Sequence, residues 1–233
     1  MSTGKFMTSI NEAAKLLKEL ELLKNDTIFH DGKISDAFKK ASQSVDYKLI
    51  YDTAVNHADY DFLLMDDSIF QFEEDSNHDM RFAFIQSPYV YMSFLDFLYS
   101  TFGEDECFKN KSQVERLKAT YENEYEQALS EFGINNRAVY FRYDVDSIRY
   151  TPNIHSFAHL HIGIDNDIRI PFRTILTPAA FVIFVIKHTY KTVWEEAIKD
   201  DTRKQAILHL ANDKSLLDAK YMSADEQMEI SLL

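Results

Sequence analysis

Residues 62–85 read FLLMDDSIFQFEEDSNHDMRFAFI, and the organisation of the chain follows from this stretch. Phe62–Met65, Ile69–Phe72 and Met80–Ile85 are short apolar runs rich in Phe and Ile, residues that suit a pleated, half-buried surface. Acidic segments separate them at Asp66–Asp67 and Glu73–Asp79. A parallel pair needs a crossover of roughly a dozen residues, so links this short imply antiparallel hairpins. Strand patterns return at Arg137–Asp144, Ser156–Ile162 and Ile168–Pro171.

Helical periodicity fills the rest. Residues 9–23 place Ile10, Ala13, Leu16, Leu17 and Leu20 on one face, with Ser9 or Asn11 as cap. A second helical region is expected across 34–58. Ser87-Pro88 reads as a helix start, running through Phe102 to a stop at Gly103. A Glu/Lys-rich surface helix follows over 112–132, stopped by Gly133. Thr177-Pro178 repeats the start signal for a helix to about Lys199, followed by one over 202–212 and a short C-terminal one.

The sum is an α+β fold, an antiparallel sheet of about five or six strands covered by helices. The length suits a single domain over 1–233, with N-terminal helices over 1–60, a sheet-bearing region over 61–200 and C-terminal helices over 201–233.

Composition limits the function classes. A formal charge of −13 argues against general coating of nucleic acid, because phosphate neutralisation needs a basic surface. Any RNA or nucleotide contact must come from a local site, and the acidic surface is open to a protein partner. Cys107 is the only cysteine, so no intrachain disulfide forms and no disulfide-linked partner is expected. Its neighbours Glu104, Asp105 and Glu106 oppose thiolate formation. The N-terminal stretch has no continuous apolar core like that of a signal peptide, and the longest apolar run, 179–186, is too short for a membrane span. The expected location is the cytoplasm, without a membrane partner.

The candidate chemistry lies between Arg137 and Arg173. This stretch holds five of the eight arginines and three of the eight histidines, with no lysine and no glutamate. Arginine without lysine suits a rigid bidentate donor for phosphate or carboxylate. Its formal charge is +1, against −14 for the remainder, so it forms a local anion-favouring island.

Two motifs stand out within it. In Arg142-Tyr143-Asp144-Val145-Asp146, extended geometry puts Arg142, Asp144 and Asp146 on one face and Tyr143 on the other. In His155-Ser156-Phe157-Ala158-His159-Leu160-His161, the same alternation sends His155, Phe157, His159 and His161 to one side and Leu160 to the core. Residues 147–154 can return the second strand antiparallel to the first, bringing Arg142 or Asp144 near His159 and His161. Asp144 and Asp146 also fit as hairpin residues, and Arg142–Asp144 as a structural ion pair. Downstream, Arg169 and Arg173 lead into the Thr177-Pro178 helix start, whose free N–H groups are a natural phosphate seat. His188, one turn past Phe184, is expected in a packed core or interface.

The order RYDVD, HSFAHLHIG and RIPFRTILTPAAFVIFVI resembles an uncharacterised bacterial family, domain-of-unknown-function family twenty-two ninety. The resemblance implies shared residues and no activity. The RYD…HxH order also resembles small bacterial toxin families associated with RNA cleavage, which implies a setting in anti-phage defence or toxin–antitoxin systems.

The leading expectation is a phosphodiester-cleaving or phosphate-binding protein, with RNA as the favoured substrate. His159, His161, Arg142 and Asp144 are its catalytic candidates, and Arg149, Arg169, Arg173 and Tyr143 its phosphate-binding candidates. The metal-free form uses the two histidines as base and acid; a metal-dependent form draws ligands for Zn²⁺, Mn²⁺ or Ni²⁺ from His155, His159, His161, Asp144 and Asp146. Five arginines and few acids (Asp144, Asp146, Asp165, Asp167) favour the metal-free form. The alternatives are an acidic adaptor, sensor or antitoxin-like partner protein, and a binder of a nucleotide signal.

Overall fold

A computed structural model describes residues 3–26, 34–89, 92–131, 137–164 and 168–230. The chain is α+β, and it divides into two compact units, 1–86 with 139–233, and 87–138.

In the larger unit the elements before the division are α1 (Thr3–Glu19), β1 (Leu23–Asp26), α2 (Asp36–Ala41), α3 (Tyr47–Asn56), β2 (Phe62–Leu64), β3 (Ile69–Glu74) and β4 (Met80–Ile85). The smaller unit holds α4 (Phe94–Phe102), α5 (Lys111–Thr120) and α6 (Glu122–Glu131). The larger unit then resumes with β5 (Tyr140–Val145), β6 (Ala158–Ile162), β7 (Ile168–Pro171) and β8 (Thr174–Leu176). It finishes with α7 (Pro178–Thr189), α8 (Lys191–Ala197), α9 (Asp201–Ala211), β9 (Lys214–Leu216) and α10 (Ala224–Ile230).

Strands β1 to β7 form one sheet in sequence order, every pair antiparallel, as the short links at 62–85 require. The sheet has seven strands because Leu23–Asp26 adds an edge strand beyond β2. A separate two-stranded sheet joins β8 to β9.

The two faces of the main sheet are covered differently. One face presents Phe62, Phe70, Phe72, Phe82, Phe84, Tyr143 and Leu160 to a core shared with α1 and α7. Phe181 of α7 meets Phe70, Phe72 and Phe82 edge-on or tilted, at 5.8–6.5 Å between ring centroids, arrangements that favour ring quadrupoles. On the other face Ile69, Ala83, Ile85 and Tyr140 pack under Phe38, Ile50, Tyr51 and Ala54 of α2 and α3. The rest of that second face is polar, and it carries the candidate site.

Several boundaries differ from those read in the sequence, each for a local reason. Helix α1 starts at Thr3 because Phe6 extends its apolar face, and Ser9 lies inside it, with its Oγ accepting from Ala179 N at 3.0 Å. The 34–58 region is two helices, capped by Ser35 and by Asp46. Helix α4 starts at Phe94, not after Ser87, because Ser93 and Asp96 form a reciprocal capping box. The stretches 112–132 and 177–199 are each interrupted by a tyrosine, Tyr121 and Tyr190, the latter donating to Asp66 Oδ2 at 2.9 Å. Gly103 ends α4 at φ 78°, a conformation glycine adopts without strain. Gly133 lies outside the described residues.

In the smaller unit, Phe94, Phe97, Leu98 and Phe108 form a core with Tyr121 and Tyr125 around them. Cys107 is exposed there, and the hydrogen bond and charge of Asp105 push its thiol pKa up, as the acidic neighbours suggest. Among the described residues no helix is long and apolar enough to cross a membrane.

Candidate functional site

The polar half-face is built by strand register. Directly opposed residues in an antiparallel sheet share a face, so each cross-strand row collects side chains on one side. One row runs Glu73, Arg81, Asp144, His159, Pro171 across β3 to β7. The next runs Gln71, Ala83, Arg142, His161, Arg169. The expected pairing of the RYDVD and HxH strands is what the register contains, with Asp144 opposite His159 and Arg142 opposite His161.

Asp144 is the centre. Arg142 Nε donates to its two oxygens at 3.1 and 3.0 Å, and the Arg142 Nη2 group stands 2.9 Å from Oδ2. Arg81 Nε lies 3.5 Å from Oδ1. From β6, His161 Nε2 stands 3.4 Å and His159 Nε2 3.9 Å from Oδ2. Burial works to raise the Asp144 carboxyl pKa. The His161 hydrogen bond and the charges of Arg142 and Arg81 outweigh it and hold the group well below the usual range. It is an anion at any ordinary pH.

His159 and His161 are 2% and 1% exposed. His159 Nδ1 lies 2.8 Å from the carbonyl of Ser156. A carbonyl only accepts, so Nδ1 carries the hydrogen and Nε2 keeps its lone pair, turned toward Asp144. Burial, against the pull of Asp144, lowers the His159 pKa to about 4, so the ring is neutral. His161 Nδ1 is buried without a hydrogen-bond partner among the described residues. A histidine kept only for structure would satisfy both nitrogens, since an orphaned buried polar atom costs about 1–3 kcal/mol.

The remaining candidates separate clearly. His155 packs edge-on against His159, 4.8 Å between centroids, and burial followed by the charge of Arg169 lowers its pKa. It is not part of the convergent group formed by Asp144, His159 and His161. Asp146 is a turn residue, with Oδ1 accepting from Arg149 N at 2.8 Å and Oδ2 standing 3.7 Å from Arg149 Nε. Arg149 is therefore an exposed loop residue tied to Asp146.

Four expectations are corrected. Tyr143 cannot bind phosphate at this site, because it lies in the core on the opposite face. There its hydroxyl donates to Thr174 O at 3.0 Å and accepts from Leu176 N at 3.1 Å. The start of α7 is no phosphate seat. Ala179 N is taken by Ser9 Oγ and Ala180 N by Thr177 Oγ1, which leaves exposed Arg173 nothing to reinforce. Phe157 joins the core and stacks on Tyr221 at 3.9 Å, since pairing of β6 begins at Ala158 and the alternation does not reach back past it. His188 is exposed, resting on Phe184 at 4.6 Å, instead of packed inside. Asp165 and Asp167 lie outside the described residues.

Arg81 is the residue that sequence reasoning missed. The signal was an arginine inside MRFAFI, where Phe82 and Phe84 enter the core and the alternate position must face the other way. Beside Asp144, Arg81 also lines a cleft of about 360 Å³ with Glu73, Asp79, Asp146 and Arg149, and Asp144 itself is part of its wall.

No curated protein and no solved structure matches the chain. A family model described as an uncharacterized conserved protein, DUF2290, matches residues 16–232, a span that includes every strand of the main sheet and every residue around Asp144. With nearly its whole length matched, the chain belongs to that family.

Proposed function

We propose that the polar half-face is a phosphate-directed hydrolytic site that cleaves phosphodiester bonds, with RNA as its substrate. The observation that carries this reading is the convergence of two buried imidazoles on one buried carboxylate, 3.4 and 3.9 Å away, beneath an arginine rim. Hydrolysis needs a nucleophilic water freed of its proton and a counter-charge for the phosphorane. Asp144, His159 and His161 supply the first, and Arg81 with Arg169 the second. Arg142 is spent on Asp144 and acts as a positioning residue for that carboxylate. RNA is preferred over a small nucleotide because Arg81 on β4 and Arg169 on β7 are separated by the two site strands β5 and β6, spacing that suits a chain of phosphates.

The test is turnover by the purified chain on a panel of single- and double-stranded RNA, DNA and cyclic and linear dinucleotides. RNA cleavage per folded molecule that falls by ~10²-fold or more in His159→Ala is the expected result. A chain that cleaves nothing on the panel sinks the proposal and moves attention to a binding role, for a protein partner at the acidic surface or for a nucleotide.

A further inference from the structure

We propose that Asp144, His159 and His161 form a centre for one divalent first-row transition metal of the zinc or manganese class, with open coordination positions toward the cleft beside Arg81. The inference deepens the hydrolytic reading of the same residues, yet it concerns what the site holds and stands or falls separately from the substrate.

Geometry comes first. One ligand atom from each residue lies within 4.8 Å of the other two, and all three residues are buried. Around a cation with ligands at ~2.1 Å, neighbouring tetrahedral ligand atoms stand ~3.4 Å apart. The His161 Nε2–Asp144 separation of 3.4 Å, a hydrogen bond that an ion would replace, already has this value, and His159 Nε2 at 3.9 Å stands slightly outside it. Two imidazole nitrogens with one carboxylate form a donor set for zinc, manganese or nickel, and three protein ligands leave room for water or substrate.

The second observation is the hydrogen bond behind His159. Metal-bound histidines donate the other ring N–H to a carbonyl or carboxylate, which fixes the tautomer and aims the lone pair. The Ser156 carbonyl does this to His159, at 2.8 Å. The result sets a nitrogen lone pair against a carboxylate oxygen, two acceptors facing each other, and a cation is the natural object to lie between them. An ion-pair network alone does not explain this arrangement. Arg142 already meets both Asp144 oxygens, and a lone pair aimed at an anion adds repulsion.

The third observation is the sign of the cleft. Among the described residues, Glu73, Asp75, Asp79, Asp144 and Asp146 line it against Arg81 and Arg149. That cleft repels a phosphodiester unless a dication inverts the local potential. In the sequence, five arginines crowding the histidines favour a metal-free site, but the fold disperses or neutralises most of them. Arg142 is neutralised by Asp144, Arg149 is paired with Asp146, and Arg173 sits beyond β7.

The experiment is elemental analysis of the purified full chain, followed by calorimetric titration of chelator-treated protein with Zn²⁺ and Mn²⁺. One equivalent is expected, with affinity lowered ~10²-fold in Asp144→Asn and in His159→Ala and unchanged in Arg149→Ala. Co²⁺ in the unaltered chain adds a readout that needs no variant to fold: a visible d–d band characteristic of nitrogen and oxygen ligands. Failure to bind Zn²⁺, Mn²⁺ or Co²⁺, or binding undisturbed by Asp144→Asn, overturns the metal centre. Cleavage by a chain that binds none of these ions overturns the metal centre while leaving the hydrolytic reading intact. Stoichiometric metal with no cleavage does the reverse.

Discussion

Tyr143, Val145, Ala158 and Leu160 enter the aromatic core, while Arg142, Asp144, His159 and His161 alternate with them on the same two strands and face the other way. The first set is apolar apart from one hydroxyl, and that hydroxyl meets two backbone groups. The second set is almost wholly polar, and His161 keeps a buried nitrogen without a partner among the described residues. One backbone therefore serves both, and the packed face fixes the positions of the groups on the polar face. That is how a strand pair holds reactive groups in a set geometry: the backbone that packing anchors on one face carries the carboxylate on the other. The cost of unsatisfied polar atoms on one face is offset by the packing on the other.

The largest effect that separates the two faces is expected from Leu160→Ala. Leu160 is 2% exposed between the two site histidines. Truncation removes packed methyl groups and leaves a cavity, so stability should fall by about 2–5 kcal/mol in denaturant unfolding. Metal stoichiometry and turnover per folded molecule should change far less. If the loss of turnover exceeded the loss of folded protein, the two faces would not be separable.

Tyr143→Phe comes next. Its hydroxyl ties β5 to β8 through Thr174 and Leu176, and its removal strands a buried N–H. A loss of about 1–2 kcal/mol is expected. A phosphate-binding role for Tyr143 predicts instead a raised KM with unchanged stability, and this pair of measurements decides between them.

These two residues also show how much of the molecule was legible. The strand pair, its antiparallel sense and the meeting of Asp144 with the histidines followed from alternation and from the short return at 147–154. The face of Tyr143 was legible too, since odd and even positions part at every strand residue. Arg81 was not, because it comes from β4, far away in sequence, and register across three strands is not written in local pattern. Strand β1, LKND, carries two charged residues and no period, and only its place at the sheet edge makes it a strand. The Ala179 amide at the start of α7 looked free because its partner Ser9 is 170 residues away.

Acid should weaken the polar face before the packed one. In metal-free protein His159 is held to about 4 from an ordinary 6.5, so the unfolded chain takes up the proton first as pH falls. The linked stability is fully present above about 6.5 and declines as pH drops toward 4. Asp144, also depressed, extends the decline to lower pH. The lowered pKa of His155 acts in the same direction, and His161 faces the same carboxylate. Urea unfolding of chelator-treated protein at about pH 7.5 and about pH 5 should show this loss, and His159→Gln should remove part of it. A stability independent of pH over that interval would mean that His159 is not buried as a neutral ring.

The smallest effect is expected at His188, which tests the comparison from outside the sheet. His159 and His188 share one chemistry in opposite settings, one buried against a carboxylate and the other exposed on α7 beside Lys187. The contact of His188 with Phe184 is a single tilted ring pair, 4.6 Å between centroids, and none of its neighbours depends on it for a hydrogen bond shown among the described residues. Surface substitutions of this kind fall within about 0.5 kcal/mol. His188→Ala should therefore leave unfolding, metal content and turnover near the native values. A loss above about 2 kcal/mol would restore the packed-helix reading and mean that Phe184 and His188 are covered by something else in the folded protein. The contrast with His159→Ala, where turnover per folded molecule should collapse, would then no longer mark the polar face as the functional one.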